Sequence, residues 1–412
     1  MGDSTARTDK EEPLGLVPRL KGQGYAREDV ERRRRWVEEK TACRLAHVGS
    51  HSIPTEAMRG NVENPVGAAQ VPLGVAGPLV VRGEHARGSF YVPLATTEGA
   101  LVRSYERGMA AIARAGGAEA RACLDENRVS PVFAFGTVAE AHDFALGLGE
   151  VFESLRAAAE ATTRHGKLLR VEPRAVGREV IVDFCYYTAD AQGMNMIARA
   201  TEAACRWLVG ARRARDYLLM TGHCSEKRAS AKLFAGGKGK RVVAGALLPA
   251  RVVKTYLHTT PEGFRDLWRR TVVGHLHAGA VGYNGHYANG LAALFIACGQ
   301  DAANVVNSSV GVTNFEVTEA GDLYASVTLA SLTVATVGGG TGQGTARECL
   351  EMLGCAGAGR APKFAEIVAA TLLAGELSMG AALASGEFVE AHETYGRNRP
   401  EESNQPEESE QT

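Results

Sequence analysis

The chain lacks an excess of either charge. Its 412 residues hold 46 Lys and Arg against 47 Asp and Glu, a formal net charge of −1. Bulk charge therefore gives no hold on nucleic acid, and no nucleic-acid partner is expected. An unbroken apolar run of about eighteen residues, the length of a membrane-spanning helix, is also missing, so no membrane is expected as a partner. The opening MGDSTARTDKEEP is polar and has no secretory-leader pattern. Met1-Gly2 with Thr5 nearby is only loosely like a lipidation signal, in the wrong surroundings. The eight cysteines (Cys43, Cys123, Cys185, Cys205, Cys224, Cys298, Cys349 and Cys355) form no CxxC pair, and several stand in apolar runs. That is the usage of reduced core thiols in a cytoplasmic protein. His275, His277 and His286 have no carboxylate or cysteine at ligand spacing, so no metal is expected. The common nucleotide fingerprints are absent too. GGKGK at 236–240 is no P-loop, and TVGGGTGQGT at 336–345 never spaces its glycines as G-x-G-x-x-G.

What is present is an ordinary globular composition, 45% hydrophobic and 23% charged, long enough for two or three domains. Polar, acidic stretches at residues 1–12 and 398–412 cannot bury enough surface to order. Residues 26–42 read as a charged helix with a thin stripe of Val30, Trp36 and Val37, its run Arg32 to Arg35 a solvated face. From 131 to 222 the pattern runs strand (PVFAFG), helix (137–162), two strands (KLLRVEPRA, REVIVDFCYY), helix (193–211) and strand (DYLLM). This βαββαβ order is the ferredoxin-like arrangement. It reads as a small unit inserted in a larger mixed domain of 63–130 and 223–397, behind an N-terminal region of 1–62. HYANGLAALFIACGQDAANVV, from 286, is apolar all round and reads as a buried central helix. The fold class expected is α+β.

Four ionisable residues stand out. Glu98 sits where YVPLATTEGALVRSYERG switches from strand-like to helix-like, a place that suits either a capping acid or a residue held for chemistry. Lys227 lies in the polar loop GHCSEKRAS. Asp301 ends an apolar run, so its carboxylate is expected at a buried site, where it needs a partner or a proton. His392 lies in FVEAHETYGR. Singly, these also read as a surface lysine, a core polar anchor and an exposed helix residue. His223 beside Cys224 is a minor idea for a nucleophilic dyad, with no orienting third residue. The glycine loop at 336–345 and the helix start at 189–196 (ADAQGMNM) could each meet phosphate through backbone N–H groups.

Taken together, the blocks ENPVGAAQVPLGVAGPL (63–79), VPLATTEGALVRS (92–104), DAQGMNM (190–196), HCSEKRAS (223–230), HYANGLAALFIACGQDAANV (286–305), TVGGGTGQGT (336–345) and AGELSMGAALASGEFVEAH (374–392) resemble 3-hydroxy-3-methylglutaryl-CoA (HMG-CoA) reductase. The resemblance is to the soluble catalytic part of the class I type, which includes the eukaryotic enzymes. It implies an oxidoreductase that reduces HMG-CoA to mevalonate and CoA with two equivalents of NADPH. It places the catalytic roles on Glu98, Lys227, Asp301 and His392. Lys227 would stabilise the oxyanion, His392 would protonate the departing CoA thiolate, and Glu98 would be the acid of the second step. Asp301 would lie beside both Glu98 and Lys227, raising the pKa of the first by like-charge repulsion and keeping the second charged. The cofactor positions fall on Asp190, Gln192, Gly193, Met194, Asn195, Gly338, Gly339, Gly340, Thr341 and Arg397. The substrate positions fall on Ser104, Arg107, Glu226, Arg228, Arg270 and Asn289. The 131–222 unit would be the NADP-binding domain, and the active sites would lie at the interface of a homo-oligomer. The resemblance departs in the loop Gly222 to Arg228, which is one residue shorter, with Glu226 for Asp and Arg228 for a second Lys. Gln192 stands where Met is usual, Ala134 where eukaryotic forms carry a substrate-facing Arg, and Asn398 where they carry a regulatory Ser. The altered loop leaves open a different acyl-CoA thioester as substrate, or a non-catalytic paralogue that binds cofactor or CoA.

Overall fold

The computed structural model describes residues 17–18, 24–211 and 213–386. Two units separate, Met1–Gln70 and Val71–Thr412. In the first, helix α1 (Arg27–Thr41) has Glu28 and Asp29 in its first turn and Lys40 in its last, which suits the helix dipole. The short α2 (Ala46–Gly49) follows. The Arg32–Arg35 run is not wholly a solvated face. The Arg33 side chain is buried, donating to the carbonyls of Gly24 (2.6 Å), Pro65 (2.9 Å) and Pro18 (3.2 Å). Those acceptors replace the water that a buried guanidinium loses.

The second unit is built on a sheet of ten strands. A hairpin of β1 (Leu73–Gly83) and β2 (Arg87–Ala95) leads into helix α3 (Leu101–Arg114) and the long strand β3 (Ala118–Val129). Glu119 to Glu126 of β3 pair with β8 (Gly239–Leu248), and Asn127 to Val129 pair with β6 (Glu179–Tyr187). One strand thus runs from the larger half of the sheet into the smaller. Beyond β8 come β10 (Leu323–Leu332) and β9 (Gly311–Val317), both antiparallel.

The smaller half follows the order β4 (Val132–Ala134), α4 (Val138–Gly147), α5 (Phe152–Glu160), β5 (Lys167–Val176), β6, α6 (Met194–Gly210) and β7 (Tyr217–Leu218). Its strands lie β7-β4-β6-β5, all antiparallel. The helix read over 137–162 is two helices, interrupted at 148–151, where Gly149 weakens helix propagation. The closing strand DYLLM shrinks to two residues. Thr137 caps α4 by accepting from Glu140 N, while Glu140 accepts from Gly136 N, much like a capping box. Phe133, Phe144, Leu155, Phe184, Ile197 and Leu208 form a core separate from that of the larger half.

Helices α7 (Ala250–Leu257), α8 (Pro261–His277), α9 (Tyr287–Ala297), α10 (Val305–Ser308), α11 (Gly344–Met352) and α12 (Ala361–Ser385) complete the unit. The segment from 286 is the buried helix α9, as expected, and the longer α12 is buried beside it. Helix α9 stops at Ala297, and Gly299 (φ +63°) turns the chain with its backbone against Gly340. Helix α12 is long and apolar enough to cross a membrane by length and composition, but 83% of that window is buried inside the protein. It packs on α3, α8, α9, β3, β8 and β10. Gly108 permits the α3–α12 contact, since a Cβ there would stand 1.9 Å from the carbonyl oxygen of Ala374.

Candidate active site

Glu98 lies in the turn between β2 and α3. Ala100, the N-cap of α3, is left-handed (φ +67°), and the first turn of α3 holds no acid. Glu98 therefore stands before the helix rather than in its first turn. Its N–H donates to Thr96 Oγ1 (2.9 Å), and its exposed carboxylate accepts from Asn289 Nδ2 (2.7 Å). Asn289 is in the first turn of α9, and that turn is pinned from inside. The buried Glu376 of α12 accepts from Gly285 N (3.1 Å), His286 N (2.5 Å) and Thr313 Oγ1 (2.7 Å). Burial pushes the Glu376 carboxyl up, while the hydrogen bonds from Thr313, Gly285 and His286 pull it down. Tyr105 donates to the carbonyl of His286 (3.0 Å) and stacks on its ring at 5.0 Å. Gly290 and Gly375 make room for the Tyr105 ring.

Lys227 sits in a loop bent by three left-handed residues, Gly222 (φ +81°), Ser225 (φ +59°) and Lys227 itself (φ +54°). For the last two this backbone is costly and persists only where surroundings hold it. Lys227 Nζ pairs with Asp301 Oδ2 at 2.8 Å, with side chains 44% and 39% exposed. Asp301 is thus half-exposed rather than buried, because the chain leaves α9 at Gly299 and comes to the surface. Its Oδ1 caps the turn Ala302–Asn304 through Ala303 N (3.1 Å). Gln300 fixes the approach, donating to Ala335 O (3.0 Å) and accepting from Ala335 N (2.7 Å).

The loop is held to the sheet by charge. Asp183 of β6, with no exposed side-chain surface, accepts from Arg128 (2.9 Å), Arg174 (2.7 Å) and Lys232 (2.8 Å) on Oδ2, and from Ser130 on Oδ1. Burial raises the Asp183 pKa, but the hydrogen bonds from Lys232 and Ser130 and the nearby cations outweigh it, and the net shift is downward. Lys232 also donates to the carbonyl of His223 (3.0 Å). Burial first, then the Lys232 charge, holds the His223 imidazole below its ordinary value. Glu226 forms an ion pair with Lys238 and accepts from Gln192 Nε2 (3.1 Å).

The proposed cofactor segments lie beside this pair. Asp190 receives Thr336 N (2.9 Å) on its carbonyl. Its carboxylate takes Gly359 N (2.8 Å) and Ala361 N (3.0 Å), so it clamps the glycine loop and the start of α12. Gly193 (φ +75°) is the N-cap of α6, which has no side-chain cap, and Asn195 is exposed in the first turn. Gly338 and Gly339 are left-handed, with nothing within 4 Å of where a Cβ would stand. Gly340 abuts Gly299, and Thr341 closes the turn onto Gly338 O (2.7 Å). An uncapped helix N-terminus and an open glycine loop, tied together through Asp190, fit a phosphate-bearing dinucleotide. Of the substrate positions, Ser104 and Arg107 hydrogen-bond Ser378 of α12 (3.1 and 3.0 Å). Arg228 is exposed with Nη1 on Glu226 O (3.1 Å), and Arg270 is exposed on α8, away from these contacts. His392 and Arg397 lie outside the described residues.

The structure joins Glu98 to Asn289 and Lys227 to Asp301, but it does not join the two pairs. Among the described residues no hydrogen bond or ion pair links Glu98 to Lys227 or Asp301. The residues expected as a triad thus appear as two separately bonded pairs, Glu98 with Asn289 and Lys227 with Asp301. Asn289 and Asp301 lie towards opposite ends of α9, with about 12 Å of helix between Asn289 and Ala297. The sequence reading missed Glu376, Asp183, Lys238 and Gln300 as organisers. Glu376 in AGELSMGAALA and Asp183 in REVIVDFCYY carry the signal that marks Asp301, an acid in an apolar run.

Residues 29–397 match the family model described as hydroxymethylglutaryl-coenzyme A reductase. The chain is 46% identical over 373 residues to the 3-hydroxy-3-methylglutaryl-coenzyme A reductase of Methanothermobacter thermautotrophicus, covering 90% of this chain and 94% of that one. It is 37% identical to the protein of the same name from Xenopus laevis, covering 90% of this chain and 44% of that one. In structure it is similar to the class II 3-hydroxy-3-methylglutaryl-CoA reductase of Streptococcus pneumoniae, solved bound to NADPH, with a TM-score of 0.67 at 18% identity, covering 89% of this chain and 100% of that one. With more than four-fifths of its length inside the family model, the chain belongs to the hydroxymethylglutaryl-coenzyme A reductase family.

Proposed function

We propose that this chain reduces HMG-CoA to mevalonate and free CoA, using NADPH. The observation that carries the reading is the Lys227–Asp301 pair, half-exposed at 2.8 Å beside an open glycine loop and an uncapped helix N-terminus. NADPH, held by Gly193 to Asn195 and by Gly338 to Thr341, supplies the reducing equivalents when bound. Lys227 donates to the thioester oxygen as negative charge develops there. Asp301 holds that ammonium aimed through the 2.8 Å pair. His392 protonates the thiolate of the departing CoA. In the second reduction Glu98 gives its proton to the aldehyde oxygen. Asn289 occupies Oε2, which leaves Oε1 to carry that proton.

The same reading assigns the chain to the class I type, supported by 37% identity to the Xenopus laevis protein against 18% to the class II structure. It takes 131–222 as an inserted ferredoxin-like domain for NADP, supported by the strand order β7-β4-β6-β5 and the separate core. It takes the working form as a cytoplasmic homo-oligomer. Glu98 and Asn289 of one subunit face Lys227 and Asp301 of another, which accounts for the split pairs. Following the absorbance of reduced cofactor with HMG-CoA as substrate tests the activity. No oxidation by the wild type, or full activity in Lys227→Ala, would sink it.

A further inference from the structure

Lys238 stands just before β8 with its side chain 1% exposed, opposite a Glu226 side chain 11% exposed. Its carbonyl accepts from Ser331 Oγ of β10 (2.6 Å), which roots it in the sheet. Its Nζ pairs with the Glu226 carboxylate, donates to Asn127 Oδ1 of β3 (2.8 Å) and meets Met194 Sδ in the first turn of α6 (3.4 Å). Glu226 Oε1 accepts from Gln192 Nε2 (3.1 Å), and the Gln192 carbonyl accepts from Asn127 Nδ2 (2.8 Å). Lys238, Glu226, Gln192 and Asn127 thus close a ring between the sheet, the 190–195 segment and the catalytic loop. A side chain this buried must have its donors satisfied, and the ring supplies one carboxylate and one amide oxygen. Glu226 itself stands between the left-handed Ser225 and Lys227, a backbone that must be held from outside.

We propose that Lys238 is a positioning residue that couples the nucleotide segment to the catalytic loop. A ligand seated on Gln192 to Asn195 fixes Gln192 and the first turn of α6. Gln192 and Lys238 then fix the two oxygens of Glu226, and the next residue, Lys227, is set against Asp301. The inference rests on reading residues 190–195 as the nucleotide site. Coupling of this kind is reciprocal, so the oxidised nucleotide must change the affinity for HMG-CoA.

Calorimetric titration of HMG-CoA into the full chain, with and without saturating NADP+, tests this. The wild type is expected to bind HMG-CoA at least about fivefold tighter with NADP+ present. In Lys238→Met that ratio falls to within about twofold of one, while affinity for NADP+ alone stays within about threefold, and Lys238→Arg recovers part of the ratio. Gln192→Met removes the hydrogen bond to Glu226 without stranding a buried charge. It is expected to lose the coupling even if Lys238→Met does not fold. A wild-type ratio of one, or coupling intact in either Met variant, overturns the inference and leaves the nucleotide reading standing. Failure of the wild type to bind NADP+ at all overturns both.

Discussion

Replacing Asp183 by Asn tests how the loop that carries Lys227 is held. The amide keeps the shape of the carboxylate but removes its charge. It also turns a donor toward Ser130 or toward the three cations on Oδ2. Arg128, with 5% of its side chain exposed, then loses its close carboxylate and keeps only Glu126 at 3.8 Å, whereas Arg174 and Lys232 are 42% and 20% exposed and can turn to water. Breaking one buried pair costs about 3–5 kcal/mol. The exposed partners add little to that. With ~2.1 cal/mol/K per residue over the roughly 340 residues of Val71–Thr412, the unfolding entropy is ~0.7 kcal/mol/K, so Tm should fall by about 4–7 °C. Because Lys232 also holds the carbonyl of His223, kcat/KM should fall as well. The pH dependence has a defined sign. An unfolded Asp titrates near 3.8 and the folded carboxyl lies lower, so its stabilisation is complete above 3.8 and is lost as pH falls through the folded value. The gap between wild type and Asp183→Asn in calorimetric unfolding should be constant at neutral pH and close below that point. A Tm change under about 1 °C, or a gap that widens on acidification, refutes this account of the hub.

Lys227→Met should lower kcat by about 10²–10³-fold in steady-state assays without unfolding the chain, since an oxyanion donor is lost and the pair is half-exposed. His223 is held below 6.5, so its contribution is present above that value and lost as pH falls through it toward the folded value. His223→Asn should flatten the wild-type decline in Tm just below pH 6.5. Glu376→Gln places an amide where three donors converge, and should lower kcat with little change in the NADP+ affinity measured by calorimetry. Mixing inactive Glu98→Gln and Lys227→Met chains should restore roughly a quarter of wild-type activity if each site takes Glu98 from one subunit and Lys227 from the other. Half of randomly paired dimers then carry one intact site of two, whereas sites within one chain would give no recovery.

The candidate residues were legible as residue types in context, and their partnerships were not. Asp301 was visible because a carboxylate after LAALFIACGQ must be satisfied, but its exposure was not. Exposure depends on Gly299 turning away from α9 because Gly340 approaches it, a contact between residues 41 positions apart. Glu98 was visible at a strand-to-helix switch, yet the left-handed Ala100 moves the helix start past it, and no propensity favours an alanine there. The βαββαβ order could be read from periodicity because each strand and helix of 131–222 has its own apolar face. The buried helix α9 could be read from its apolar composition, but α12 was not singled out beside it, since both are strongly apolar. Periodicity cannot rank two such segments, and only the packing of α3, α8 and the sheet on α12 does.

Helix α9 is where these threads meet. Its N-terminal turn is fixed by Glu376 from α12 and by Tyr105 from α3, and it presents Asn289 to Glu98. Its C-terminal end is fixed by Gln300 on Ala335 and by the Gly299–Gly340 contact, and it presents Asp301 to Lys227. Both ends are therefore tied to the core before either chemical group is placed. A rigid helix about 16 Å long then sets the spacing of the two pairs. One inserted residue would rotate one end against the other by about 100° and lengthen the span by about 1.5 Å, enough to misdirect one pair while leaving the other intact. Buried Glu376 and exposed Glu98 are thereby linked through one turn of α9. The buried carboxylate sets the orientation of the helix turn, and the exposed one depends on that turn for its amide partner.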